Sequence, residues 1–186
     1  MGSTIVRVEG ADPPPQTLSF VAALALYEAA APSVSPPVSL QLKWPNDLLV
    51  NGAKLAGILL ERVNEIVIVG IGVNLVQAPH LTDRATACLA QFGPPPGRDT
   101  FADMLAAHFA QELHRWRNYG FEPIRRRWLA AAHPIGTPLS VANGSEPALE
   151  GTFAGLDDSG FMRLQLADGA VRSIMSGEVG QRTGET

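Results

Sequence analysis

The stretch "LKWPNDLLVNGAKLAGILLE", residues 42–61, sets two lysines, two asparagines and an aspartate inside an otherwise apolar run. Asn51-Gly52 suits a two-residue turn whose central residues both need positive φ, so residues 48–50 and 55–61 read as the arms of a hairpin. Upstream, residues 40–43 form a further apolar segment. Downstream, "EIVIVGIGVN" over 65–74 follows a short polar link and reads as a fourth strand. The spacing predicts a meander rather than alternating βαβ units.

The polarity of this stretch asks for a chemical reason. Pro45 holds the backbone extended, and Asn46 and Asp47 leave the strand in a turn that presents polar groups at its end. Lys54 starts the next strand seven residues after Asp47, so a carboxylate and an ammonium can share one cleft, where they can orient the lysine or coordinate a cation. Ala56 and Gly57 let a flat, uncharged ligand approach the backbone. Gly70 and Gly72 repeat that theme, and Asn74 offers both donor and acceptor, as adenine requires. The glycine pair lacks the third glycine and the strand-to-helix setting of a dinucleotide fingerprint. Taken singly, Lys43 is a strand-end charge, Asn51-Gly52 a turn and Trp44 core. Together, these residues within thirty-two positions point to a site.

Around this centre, "STIVR" at residues 3–7 begins a strand, and residues 16–31 form a helix with Leu18, Val21, Ala22 and Ala25 on one face. The helix ends in "APSVSPP". A short helical piece is expected over 85–92. Residues 99–119 form a long helix with Phe101, Leu105, His108, Phe109, Leu113 and Trp116 at helical spacing, and a second helix spans 123–132. Its "RRRW" reads as a solvated face. Strands near 138–142, 148–155, 161–166 and 170–175, punctuated by "NGSE", "DDSG" and "ADG", predict a small β-barrel. The expected boundaries are 1–134 for the larger domain and 135–182 for the smaller, with a disordered tail over 183–186.

Composition narrows the classes. Apolar residues make up 46% of the 186 and charged residues 17%, with no eighteen-residue apolar run and no cleavable leader, which reads as a soluble cytoplasmic protein without a membrane span. The net charge of −4 argues against a general nucleic-acid binder. One cysteine, Cys88, and four scattered histidines give neither a disulfide nor a metal-ligand set.

"KWPNDLLVNGAKLAGILLE" with "VGIGVNL" downstream resembles the catalytic domain of biotin protein ligases, from about residue 2 to 180, including "QTLSFVAALALYEA" and a terminal "SGEV" at 176–179. The resemblance implies an α+β fold, a mixed or antiparallel sheet packed with helices as in class II synthetases, followed by an SH3-like β-barrel. It implies that biotin and MgATP give biotinyl-5'-AMP, which a lysine of a biotin carboxyl carrier protein domain then attacks. By motif, Lys54 would contact the biotin carboxylate and the phosphate, and Asp47 would lie beside the adenylate and the accepting lysine, with Asn46 and Trp44 next to it. Asn74 would bind adenine, Gly72 would allow close approach, and Gly57, Ile58 and Leu59 would line the biotin pocket. Lys43 would add positive potential near the phosphates. ATP, Mg2+ and biotin are thus the implied ligands, and no metal is held by the protein itself.

The family's glycine/arginine loop, GRGRxGR, and its Ser/Thr-rich substrate segment do not occur in these residues, nor does an amino-terminal helix-turn-helix. The favoured explanation is a start at an internal methionine; the other is a genuine fragment that binds biotin or adenylate without catalysis. No operator DNA binding is expected, and a homodimer is left open. Exposed strand edges should make the chain self-associate. A lipoate or other acyl ligase of the same fold remains the third reading.

Overall fold

The computed structural model describes residues 1–82, 84–143 and 147–181. Two antiparallel sheets and three helices make an α+β architecture. The first sheet holds β1 (Gly2–Arg7), β2 (Leu40–Lys43), β3 (Asp47–Val50), β4 (Ala53–Val63) and β5 (Ile66–Val73) in the order β1-β5-β4-β3-β2. The last four strands form a meander. The first two-residue link is Asn51-Gly52, both at positive φ (46° and 80°), the geometry that matches the twist of a tight hairpin.

Helix α1 (Leu18–Ala30) lies on one face of this sheet, beneath α2 (Arg98–Tyr119) and α3 (Glu122–Ala131). Its burial is not confined to the expected stripe. Phe20, Ala23, Leu24 and Leu26 are buried as well, because one side meets the sheet and the other meets the two outer helices. Alanines at 22, 23, 25, 29 and 30 let those layers approach closely. The helical piece expected over 85–92 is a single 3-10 turn, Leu89–Gln91.

The "RRRW" segment is not a solvated face. Arg127 pairs with Glu28 of α1 at 2.9 Å and with the buried Glu112 of α2, Arg125 reaches Asp158 at 2.8 Å, and Trp128 is core. Arg126 alone of the three stays exposed.

The second sheet contains β6 (Pro138–Ala142), β7 (Leu149–Leu156), β8 (Met162–Gln165), β9 (Val171–Ile174) and β10 (Glu178–Gln181) in the order β10-β6-β7-β8-β9. The expected SH3-like β-barrel is corrected here: among the described residues β9 bonds only to β8 and β10 only to β6, so the sheet has two edges and does not close. Residues 171–173 are exposed and offer no inward-facing row for a closing ladder. Turn residues report hairpins between neighbours in the chain, whereas closure is a pairing between ends that no local signal carries. The turn at 143–146 lies partly, and the tail at 183–186 wholly, outside the described residues.

The sheets are pinned together by the Trp44 indole, which donates to the Gly160 carbonyl at 3.1 Å. Gly160 (φ 83°) packs so tightly that an added Cβ would stand 2.7 Å from the Phe20 ring. Among the described residues, no helix is long and apolar enough to cross a membrane.

Candidate active site

The β2–β3 hairpin pairs Lys43 with Asp47 across the Trp44-Pro45-Asn46 turn. Next, β3 pairs with β4 so that Asp47 faces Gly57 and Leu48 faces Ala56, but Leu49 faces Lys54. Leu55 is therefore the extra residue of a β-bulge. Leu55, Ala56 and Ile58 are all buried toward the core, and the break in alternation turns Lys54 onto the face that carries Gly57 and Asp47. The Lys54 ammonium sits 2.5 Å from Asp47 Oδ1. The contact is Coulombic, since that oxygen takes no aligned hydrogen bond. Lys54 lies directly over Gly57, where an added Cβ would meet its Cε and Nζ at 3.3 Å.

Two cavities meet at Lys54. One, of about 370 Å³, is bounded by Lys54, Ala56, Gly57, Gly72, Asn74 and Thr86. The paired glycines Gly57 and Gly72, direct partners across β4 and β5, give its floor no side chains of their own, and the side chains of Lys54 and Met1 lie over them. The other, of about 120 Å³, is lined by Lys43, Asp47, Leu49, Lys54 and Arg84. Burial lowers the Lys43 ammonium below the usual lysine range; Asp47 opposes that, and the like charges of Arg84 and Lys54 reinforce it. A larger apolar cavity of about 470 Å³, between β1 and α2, is lined by Phe101, Leu105, Phe109 and Leu113 of the helical stripe and by none of the candidate site residues.

The family descriptions "Biotin/lipoate A/B protein ligase family" and "Biotin protein ligase C terminal domain" match residues 15–75 and 141–179. Over 175 residues the chain is 41% identical to a biotin–[acetyl-CoA-carboxylase] ligase of Paracoccus denitrificans, spanning 88% of this chain and 72% of that one. The chain belongs to the biotin–[acetyl-CoA-carboxylase] ligase family. A Mycobacterium tuberculosis ligase of the same description is 32% identical, over 87% of this chain and 61% of its own length. In fold, the chain is similar to the biotin protein ligase from Aquifex aeolicus in complex with biotin and ATP, with a TM-score of 0.80 at 23% identity over 98% of this chain and 77% of that one.

Within this biotin ligase fold the residues named from the sequence divide into three groups. Lys54, Asp47, Lys43, Gly57, Gly72 and Asn74 border one cavity or the other. Asn46 is locked into the hairpin, its amide donating to the Ile58 carbonyl at 2.7 Å and its carbonyl accepting from Ile58 N at 2.9 Å. Trp44 and Ile58 are buried in the core, and Leu59 is 61% exposed beyond the cavity rim.

What the sequence reading missed is the segment 84–90. Lys54 N donates to Ala85 O and Ala87 N donates to Lys54 O, each at 2.9 Å, a parallel bridge that clamps the lysine's backbone from the far side of the hairpin. Asn74 Nδ2 donates to Ala87 O at 3.0 Å, and Leu89 N to Asn74 O at 3.0 Å. One loop thus ties both ends of the cavity together. "ATACLA" carries no periodicity and no turn residue, so nothing local reveals it; only the charged pair Asp83-Arg84 just before it offered a signal.

Proposed function

We propose that the chain catalyses ATP-dependent biotinylation through biotinyl-5'-AMP, with the Lys54 ammonium at the reacting centre. The observation that carries this reading is the position of Lys54: over Gly57, beside Asp47, and on the wall of both cavities. In the first step the biotin carboxylate attacks the α-phosphorus of ATP and pyrophosphate leaves. Negative charge accumulates on oxygens between carboxylate and phosphate, where a fixed ammonium stabilises it. In the second step a carrier lysine amine attacks the acyl carbonyl, an amide forms and AMP departs. Asp47, beside Lys54, is the carboxylate placed to hold that ammonium in register and to accept the incoming amine's proton.

The glycine floor accommodates the adenylate, and Asn74 serves its adenine end. Because the Asn74 amide also holds Ala87, its role includes fixing the cavity wall. Magnesium enters as part of MgATP. The acceptor in this proposal is a biotin carboxyl carrier protein domain. The net charge of −4 supports a reading without DNA as ligand, and ATP as substrate supports a cytoplasmic setting. The proposed division places the ligase domain at 1–134 and the accessory sheet from 135 onward.

The test is incubation of the 186-residue chain with biotin, MgATP and a carrier domain, with calorimetry of biotin binding in parallel. Biotinylated carrier supports the reading. The absence of both labelled carrier and saturable biotin binding would remove it.

A further inference from the structure

We infer that Arg84 is a phosphate-binding residue, and that the 120 Å³ cavity it shares with Lys43 and Lys54 receives the pyrophosphate end of the nucleotide. This rests on the ligase reading above. Three cations, Lys43, Lys54 and Arg84, converge on one small cavity that also contains the Asp47 carboxylate. Asp47 is committed to Lys54 at 2.5 Å, and Glu178 of β10 pairs with Arg84 Nη2 at 2.6 Å. Lys43, half-buried, faces Asp47 across β2 and β3, while its burial and the like charges of Arg84 and Lys54 act against its charged form, so within the cavity one carboxylate serves three cations. Its position is therefore one that favours a polyanion over an empty pocket.

The geometry says which anion. Lys54 is common to both cavities, so a nucleotide whose α-phosphate meets Lys54 from the larger cavity would direct its remaining phosphates into the smaller. A guanidinium presents five donors in a planar fork suited to bridging a carboxylate and a phosphate. Glu178 belongs to the second sheet, so this ion pair sets the loop cation from outside the ligase sheet. The inferred division of labour is that Lys54 serves both half-reactions, whereas Arg84 serves the leaving group of the first.

Inorganic pyrophosphate titrated into the full chain by calorimetry tests this, with biotin titrated separately. Wild type should bind pyrophosphate saturably. R84A should weaken it roughly tenfold or more, the worth of one charge-assisted hydrogen bond, and R84K, which keeps the charge but loses the fork, should fall between wild type and R84A. Biotin affinity should be the same in all three, which also shows that each variant folds. R126A, which removes an equal charge from an exposed site on α3, should bind pyrophosphate as wild type does. Pyrophosphate binding absent from wild type, unchanged in R84A, or equally weakened by R126A overturns the inference. Those outcomes leave the ligase reading standing, because it is judged on biotin binding and carrier labelling.

Discussion

Lys54 and Asp47 are held 2.5 Å apart because one extra residue, Leu55, interrupts the pairing of β3 with β4. In an unbroken strand Lys54 would alternate with Ala56 and Ile58 and point toward the helices, burying an ammonium in an apolar layer. The bulge re-aims it across Gly57 to the carboxylate.

Gly57 should therefore be intolerant of even a methyl group for functional rather than structural reasons. The atoms a Cβ would meet are the flexible end of Lys54, which can shift, so Gly57→Ala is expected to leave the thermal midpoint within a few degrees. Carrier labelling should fall by about tenfold or more, because a displaced ammonium loses its place at the reacting oxygens. Paired melting curves and initial rates check both halves.

Lys54→Met keeps the stem's packing and deletes the charge. Formation of biotinyl-5'-AMP should slow by about 10²–10³, the range for removing one preorganised donor at a developing anion. Following pyrophosphate release in a single turnover measures that step. A loss smaller than tenfold would place the reacting oxygens elsewhere.

His133 ties stability to pH. Burial first, then the Lys43 charge, push its pKa down from 6.5 to about 4. Between these values the unfolded chain binds a proton that the folded chain refuses, so stability falls as pH drops through 6.5 toward about 4. The contribution at neutral pH is up to about 3 kcal/mol, one pKa unit being about 1.4 kcal/mol. Urea unfolding at pH 7 and pH 5 should show the difference narrowing in His133→Gln.

Glu112 is 2% exposed and joins Arg115 of its own helix to Arg127 of α3, which in turn reaches Glu28 of α1. Glu112→Ala leaves two half-buried guanidinium groups without that carboxylate and should cost about 3 kcal/mol, the lower end for breaking a buried pair, since Glu28 still serves Arg127. Denaturant titration reads it directly. Replacement of exposed Arg126 by Ala should change stability by less than about 0.5 kcal/mol.

The edge of β1 is the expected route of self-association. Ile5 is 68% exposed on that strand, and among the described residues nothing pairs with its outer side. Ile5→Lys should shift a concentration-dependent elution profile toward monomer in gel filtration, because a charge on an open edge opposes strand-to-strand pairing.

Much of this was written locally in the chain. The Asn51-Gly52 turn, its hairpin and the long helix over 98–119 follow from residues a few positions apart, and the grouping of Lys43, Asp47, Lys54, Gly57, Gly72 and Asn74 follows from consecutive hairpins over residues 43–74. Each depends on short-range geometry: φ at a turn, the alternation of a strand, the period of a helix. Trp44 and Ile58 looked equally eligible for the site, because motif position alone does not say which side of a sheet is covered by helices.

The amino-acid sequence by itself determined the described strands other than β10, their hairpin order and the chemical types that surround the cleft. Only the tertiary structure decided that Leu55 bulges and turns Lys54 outward, that residues 85–87 clamp it from behind, that Glu178 reaches Arg84 from the second sheet, and that this sheet stays open. The reason is common to all four. Each is a contact between segments far apart in the chain or a shift in register between strands, and such pairings are settled by which surfaces are left to bury once the layers come together, not by the propensities of neighbouring residues.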